Sequence, residues 1–512
     1  MAHGSHSNAQ RRSNGVLLIM AGVQNVHPLY TLNMEDWELL RDSYRGQRAI
    51  KNAGSKYLPP TKGMRIDGLG PGQCGADAYN AYLLRAVYHE FVKEAVETFI
   101  GMMWKKPPTI NLPKGMEGMR EHATPNGEGL MMLLRRINEE QLVSGRVGLL
   151  LDLPTVVNGE PVPYLAMYTA ESIRNWDDRE FNEGEQTLNL VVLDESGMVR
   201  QDDFSWKRAQ KFRVLQLGDL LANETKGTYR QGVFTEDTSL EYTPDAMITP
   251  AVRGVPLRQI PFVFINSKDN SATPDRPPLL GLANLALTVY RSEADYRQNL
   301  FMQGQDTLVI VGEVHRNVGE GEEPLRTGAG SVLQVEQGGE ARYIGVNSQG
   351  LPEQRQALEA DLVRAQSMSG RLQSGTVNYE SGLALQVRIA GQTVTLNQIA
   401  TSAAQGLEKL LRIAAEWLGY NPAEVEVKPN LEFADYELSG KDLVEYMNAK
   451  AMGAPISMLS IHNMMAQRGM TDMTYEQELD QITKEGADGE VIPLTQGTRL
   501  DTKLKDASPS DA

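Results

Sequence analysis

Residues 267–278 read SKDNSATPDRPP, a polar run with three prolines, and the chain changes character across it. Pro, Ser, Asn and Asp favour turns over regular hydrogen-bonded structure, so this run predicts a linker. Before it the pattern is strand-like. Val147–Leu153 (VGLLLDL), Tyr164–Tyr168, Thr187–Asp194, Lys211–Gln216, Thr228–Phe234 and Pro261–Ile265 are short apolar or alternating runs, separated by turn residues such as NGE, DESG and NETKG. After it the period becomes helical. Leu282, Leu285, Val289, Ser292, Tyr296 and Leu300 form one stripe along Leu279–Gln303. The linker thus separates a segment that folds as an α+β domain with an antiparallel sheet from a segment dominated by long helices.

Working outward from the linker, a small β unit follows the first long helix. It comprises Thr307–Gly312, a Gly- and Glu-rich loop over 313–330, Ser331–Gln337, the turn Gly338-Gly339 and Glu340–Val346. A second helix starts at Leu351, with Pro352 and Glu353 in its first turn, where a missing N–H costs nothing and a carboxylate meets the positive helix end. Its stripe is Leu351, Leu358, Leu362, Ala365, Ser369 and Leu372. A loop over 373–382 breaks it. Then come a helix over Ala384–Leu418, a strand over Glu424–Phe433 and three short helices. Ser439 and Ser457 are placed to cap the first two, and Thr474 with Gln477 forms a capping box for the third. Towards the N-terminus, Glu128–Ser144 reads as a helix, Asp77–Trp104 as one long helix, Leu58–Gly75 as a loop and Asp36–Gly54 as a helix. Residues 1–34 read as a flexible extension and 485–512 as a flexible tail.

Composition narrows the function. The chain has 512 residues, 41% apolar and 23% charged, enough for several real cores. The single cysteine, Cys74, excludes an intramolecular disulfide and a thiolate-built zinc site. Lys plus Arg number 50 against 66 Asp plus Glu, a net charge of −16. A protein that grips DNA gains most of its affinity from phosphate contacts and is usually basic, so this chain is not expected to hold DNA tightly. The longest apolar run near the start, VLLIMAGV at 16–23, falls well short of the roughly 20 residues a bilayer requires, so no membrane partner is expected.

No catalytic constellation emerges. There is no GxxxxGK[ST], no HExxH and no GxSxG. His89-Glu90 has no second histidine four residues on and reads as helix surface. Asp177-Asp178, Asp202-Asp203 and Glu320/Glu322/Glu323 are acidic clusters of the kind usually found on solvated surface. A metal-dependent hydrolase built on 177–203 is the alternative they leave open. No cofactor is implied and no enzyme activity is expected.

The order of elements, together with three stretches, resembles the portal proteins of tailed bacteriophages. The stretches are WELLRDSYRGQRA (37–49) with KYLPP (56–60), PPLLGLANL through YRSEADY to Gly304-Gln305 (277–305), and ESGLALQVR (380–388) continuing to Trp417-Leu-Gly419. They are similar to one portal family long described as a domain of unknown function. That resemblance implies a β-rich wing (35–276, returning at 384–437), an α-helical stem (277–304 and 349–373), a small α/β clip (305–348), a tunnel loop (374–383) and a helical C-terminal crown (438–484). It implies a homo-oligomer, a dodecameric ring, at the unique vertex of a virion, assembled in the host cytoplasm. Double-stranded DNA would pass through it without sequence recognition. Gln373, Ser374, Thr376, Asn378, Tyr379 and Glu380 would face the channel. Glu313, His315, Arg316, Glu320, Glu322, Glu323 and Arg326 would lie where the terminase large subunit, and later a head-completion adaptor, docks. The major capsid protein and a scaffold protein are the remaining partners implied. The nearest alternative is a capsid-associated scaffold or connector protein without a DNA channel.

Overall fold

The computed structural model describes residues 22–153, 163–178, 180–181, 185–186, 188–218, 227–236, 240–303, 307–311, 337–344, 350–369, 382–431, 440–467 and 471–487. It divides into two units, Met1–Phe433 and Ala434–Ala512. The first is mixed α and β. Its helices are α1 (Pro28–Arg45), α2 (Gln47–Asn52), α3 (Lys62–Ile66), α4 (Cys74–Arg85), α5 (Phe91–Met103), α6 (Gly118–Glu121), α7 (Leu130–Ser144), α8 (Leu280–Gln303), α9 (Leu351–Met368) and α10 (Gly382–Leu418). The second unit holds α11 (Gly440–Ala451), α12 (Met458–Gln467) and α13 (Tyr475–Ala487).

The strand Arg146–Asp152 organises the first unit. It lies between Phe262–Asn266 and Tyr164–Thr169, antiparallel to both. Alternate side chains of a strand point to opposite faces. Val147, Leu149 and Leu151 enter a core shared with α7 and α10, while Leu150 enters an aromatic core with Trp37, Trp176, Phe262 and Phe264. Burial on both faces explains why this strand is apolar throughout instead of alternating. Gly148 is required there: a Cβ would come within 2.3 Å of the Phe262 ring. A second, five-stranded antiparallel sheet runs in the order Met247–Ile248, Tyr229–Thr235, Lys211–Leu217, Leu190–Asp194, Ile173–Asp177. The antiparallel α+β expectation is met, and the six strands read from the sequence are all present within a few residues.

Three expectations need correction. The first helix begins at Pro28 instead of Asp36, and residues 22–34 are not all a loose extension. Tyr30 is buried, Gly22 bridges Glu241, and the His27 ring accepts the Leu29 N–H at 3.1 Å to cap the helix. The loop 58–75 contains α3, capped by Thr61. The single helix expected over 77–104 is two. After Arg85 the chain extends through Ala86–Glu90, because Tyr88 is buried edge-on against Tyr290 and its N–H donates to the Gln47 side chain at 3.1 Å, while Glu90 accepts the Gln47 N–H. In the C-terminal unit the capping box forms as expected: Thr474 N donates to Gln477 Oε1 at 2.9 Å and Gln477 N to Thr474 Oγ1 at 3.4 Å. Ser457 caps α12 through the Ser460 N–H. Ser439 lies outside the described residues.

Candidate channel and docking segments

Helix α8 changes partners along its length. Over its first turns Leu280, Leu282, Ala283, Ala286, Leu287, Val289 and Tyr290 are buried against α4, α5 and α9, following the i, i+3, i+4, i+7 spacing of one helix face. Beyond Ala294 the apolar face thins to the partly buried Tyr296, and Leu300, Phe301 and Met302 are nearly half exposed. Polar contacts take over. Tyr82 donates to Asp295 at 2.6 Å, Arg85 donates to Gln298 at 2.5 Å and stacks over Phe301, and Glu293 accepts from Arg297 at 2.7 Å while lying 3.2 Å from His89. His89, expected on a helix surface, is in the extended 86–90 segment with its ring stacked on Phe91.

From the end of α8 the chain enters a hairpin in which Thr307–Val311 pairs antiparallel with Glu340–Ile344. Gly338, at φ +99°, supplies the left-handed turn residue there. The return helix α9 presents a narrow seam to α8. Leu358, Ala365 and Ser369 are buried, whereas Val363 and most of the other residues are exposed. Such a single seam suits antiparallel packing of two helices, and the described residues leave most of the rest of α9 exposed. Helix α10 follows, and from Leu396 to Ala415 it is a central core element.

The residues expected to face a channel, Gln373, Ser374, Thr376, Asn378, Tyr379 and Glu380, lie outside the described residues. So do the expected docking residues Glu313, His315, Arg316, Glu320, Glu322, Glu323 and Arg326. The structure brings neither group together nor separates it; it shows the helices and strands that carry both. The acidic segments of the hydrolase alternative are described in part. Asp177 lies at the end of a sheet strand, whereas Asp202 organises a hairpin tip, its carboxylate accepting the Phe204 and Ser205 N–H groups at 2.8 Å each. The Ser205 hydroxyl and those two amides hold the Asp202 carboxyl below its usual range. Among the described residues, no three His, Cys, Asp or Glu side chains converge to hold a metal ion, and no helix is long and apolar enough to cross a membrane.

Comparison with known families falls on this same unit. Residues 278–418 match the family described as a domain of unknown function, DUF4055. The match starts two residues before α8 and stops at the last residue of α10. Among solved structures, the chain is similar to one from the "Virion of native gene transfer agent (GTA) particle", at 14% identity and a TM-score of 0.36, covering 72% of this chain and 87% of that one. It is also similar to chains from the "Neck of empty GTA particle computed with C6 symmetry" (15% identity, TM-score 0.35, 77% and 90% covered) and the "Neck of native GTA particle computed with C12 symmetry" (14%, 0.32, 72% and 88%). Overlaps this loose do not define a common fold. No curated protein matches the chain.

Two features escaped the sequence reading. One is the hairpin Gly197–Arg200 with Trp206–Ala209, a separate two-stranded sheet that connects the adjacent strands Leu190–Asp194 and Lys211–Leu217 of the five-stranded sheet. Its signal was the turn-forming run QDDFS between two short segments that carry Met198, Val199 and Trp206. The other is Arg146, a charged residue opening an apolar strand, buried between two aromatic rings. Nothing local marks it.

Proposed function

We propose that the chain is a portal-type subunit, copies of which form a ring at one vertex of a viral capsid around a channel for double-stranded DNA. The observation that carries the reading is a coincidence of boundaries. Among the described residues, the family match over 278–418 spans α8, the hairpin, α9 and α10, and that unit is the one whose order resembles the stem, clip, stem and wing return of phage portals. The exposed side of α9 fits the reading, since a helix that the described residues cover along one seam has surface left for a neighbouring copy.

On this reading each part has a physical task. The α8–α9 pair stands at the channel. The hairpin and the 313–330 segment between its strands meet the terminase during packaging and a head-completion adaptor afterwards. The 373–382 segment narrows the channel. The net charge of −16 keeps phosphate from adhering as DNA slides. The subunit does no chemistry of its own: ATP-driven translocation belongs to the terminase. Its place is the virion, after assembly in the host cytoplasm, beside the major capsid protein and any scaffold.

Negative-stain imaging of the purified chain tests the ring. Closed rings with a central hole wide enough for duplex DNA are expected. A chain that stays monomeric at micromolar concentration refutes the proposal, and closed assemblies without a hole favour a scaffold or connector role. The channel itself is tested in DNA-filled particles carrying Tyr379→Cys, where a thiol-linked crosslinker should join residue 379 to DNA.

A further inference from the structure

The hairpin Gly197–Arg200/Trp206–Ala209 is exposed along nearly its whole length. It presents apolar side chains that a soluble hairpin has no reason to show: Phe204 is 95% exposed, Met198 62% and Trp206 59%. The register places Met198 opposite Arg208 and Arg200 opposite Trp206. Cross-strand partners share a face, so Met198, Arg200, Trp206 and Arg208 lie on one face of the hairpin, with Arg200 engaged at the tip 3.4 Å from the Asp203 carboxylate. Trp, Met and Arg are the residue types enriched where protein interfaces concentrate their binding energy.

The tip is built to hold that face still. Asp202 accepts the Phe204 and Ser205 amides, Gln201 N donates to Ser205 O at 3.0 Å, and Arg200 donates to the carbonyls of Asp202 and Asp203 at 3.0 and 2.6 Å. The base is fixed as firmly. Lys211 and Arg213 both pair with Glu195, at 2.8 and 2.6 Å, and Arg213 also pairs with Asp152. A two-stranded hairpin standing alone in water is only marginally stable, and an ordered aromatic tip spends little entropy on binding. Lys207 and Arg208 charge the strand Trp206–Ala209, which disfavours indiscriminate edge pairing along it.

We infer that the Met198/Trp206/Arg208 face, with Phe204 at its tip, docks onto an acidic surface of a second copy of this chain. The occupant follows from charge: Arg208 stands opposite Met198 with no acid across from it, Arg200 being paired with Asp203 at the tip, while the chain as a whole carries −16, so another copy is a complementary partner. The inference rests on the reading that the chain self-associates, but not on the existence of a channel.

Photocrosslinking tests it on the full chain. Phe204→benzoylphenylalanine, irradiated in the assembled state, should give covalent dimers whose crosslinked peptides both come from this chain. Trp206→Ser combined with Arg208→Glu alters only the outer face of the hairpin, and should raise the concentration needed for assembly by about tenfold or more. Salt should weaken the wild-type contact and relieve the double variant, in which a carboxylate faces the acidic surface. If rings form but residue 204 crosslinks to no second copy, or the double variant assembles as wild type does, the inference fails while the ring reading stands. Hairpin-linked dimers that never close would support the inference and sink the ring. A strictly monomeric chain defeats both.

Discussion

The guanidinium of Arg146 lies 4.3 Å from the ring centroid of Trp176, with Phe264 at 4.2 Å, and no described group hydrogen-bonds any of its nitrogens. The His27 ring also stacks on Trp176, at 4.1 Å. The three-stranded sheet, the edge of the five-stranded sheet and the segment leading into α1 therefore meet at one stack. Burial pushes the Arg146 guanidinium down to about 9, against the pull of Asp178 and Asp275.

The first prediction concerns that cation. Desolvating an unpaired guanidinium costs more than two ring faces return. Arg146→Met, which keeps length and removes charge, should leave stability unchanged or raise it by about 1–2 kcal/mol. Arg146→Ala should lower it by roughly 2–4 kcal/mol by opening a cavity between the rings. Urea unfolding of the three proteins decides; a Met variant as unstable as the Ala variant would show that the rings win.

A second prediction concerns pH. His27 caps α1 by accepting the Leu29 N–H, which its ring nitrogen can do only unprotonated. Burial, then Arg146, hold His27 below its usual 6.5, against Asp177 and Asp178. The folded state thus binds its proton later than the unfolded state does. The stabilisation is complete above pH 6.5 and is lost as pH falls from there through the lower folded value. His27→Asn keeps an acceptor that does not titrate. The variant should retain about 1 kcal/mol that wild type loses in this window, read as melting temperature against pH.

The distal half of α8 should be separable from the proximal half. Tyr82→Phe deletes the hydroxyl donated to Asp295, at a cost of about 1 kcal/mol. Hydrogen exchange should quicken over 295–303 and stay unchanged over 280–290, where the contacts are apolar. Uniform quickening along the helix would show that α8 opens as one unit.

For the hairpin that ends α8, replacing 313–330 with a short Gly-Ser turn should leave ring formation intact and block DNA packaging or head completion. Normal yield of filled particles from this variant would remove terminase and adaptor docking from that segment.

Much of the molecule follows from the sequence by itself. The linker at 267–278, the helix–hairpin–helix order after it, the apolar strand at 147–153 and the Thr474/Gln477 box are local patterns, each specified by side chains within a few residues of one another. Tertiary structure alone decided the rest. No proline or glycine marks the break at 86–90; it exists because Tyr88 is drawn into the core against Tyr290, more than two hundred positions away in sequence. Thr109–Asn111 pairs with Glu426–Lys428 across most of the first unit. The sequence places an apolar strand from Val147, but only folding makes Arg146 its first residue and brings Trp176 and Phe264 to its two faces. Periodicity and capping act over one or two turns, whereas burial of a charge or a tyrosine depends on what the rest of the chain packs against it.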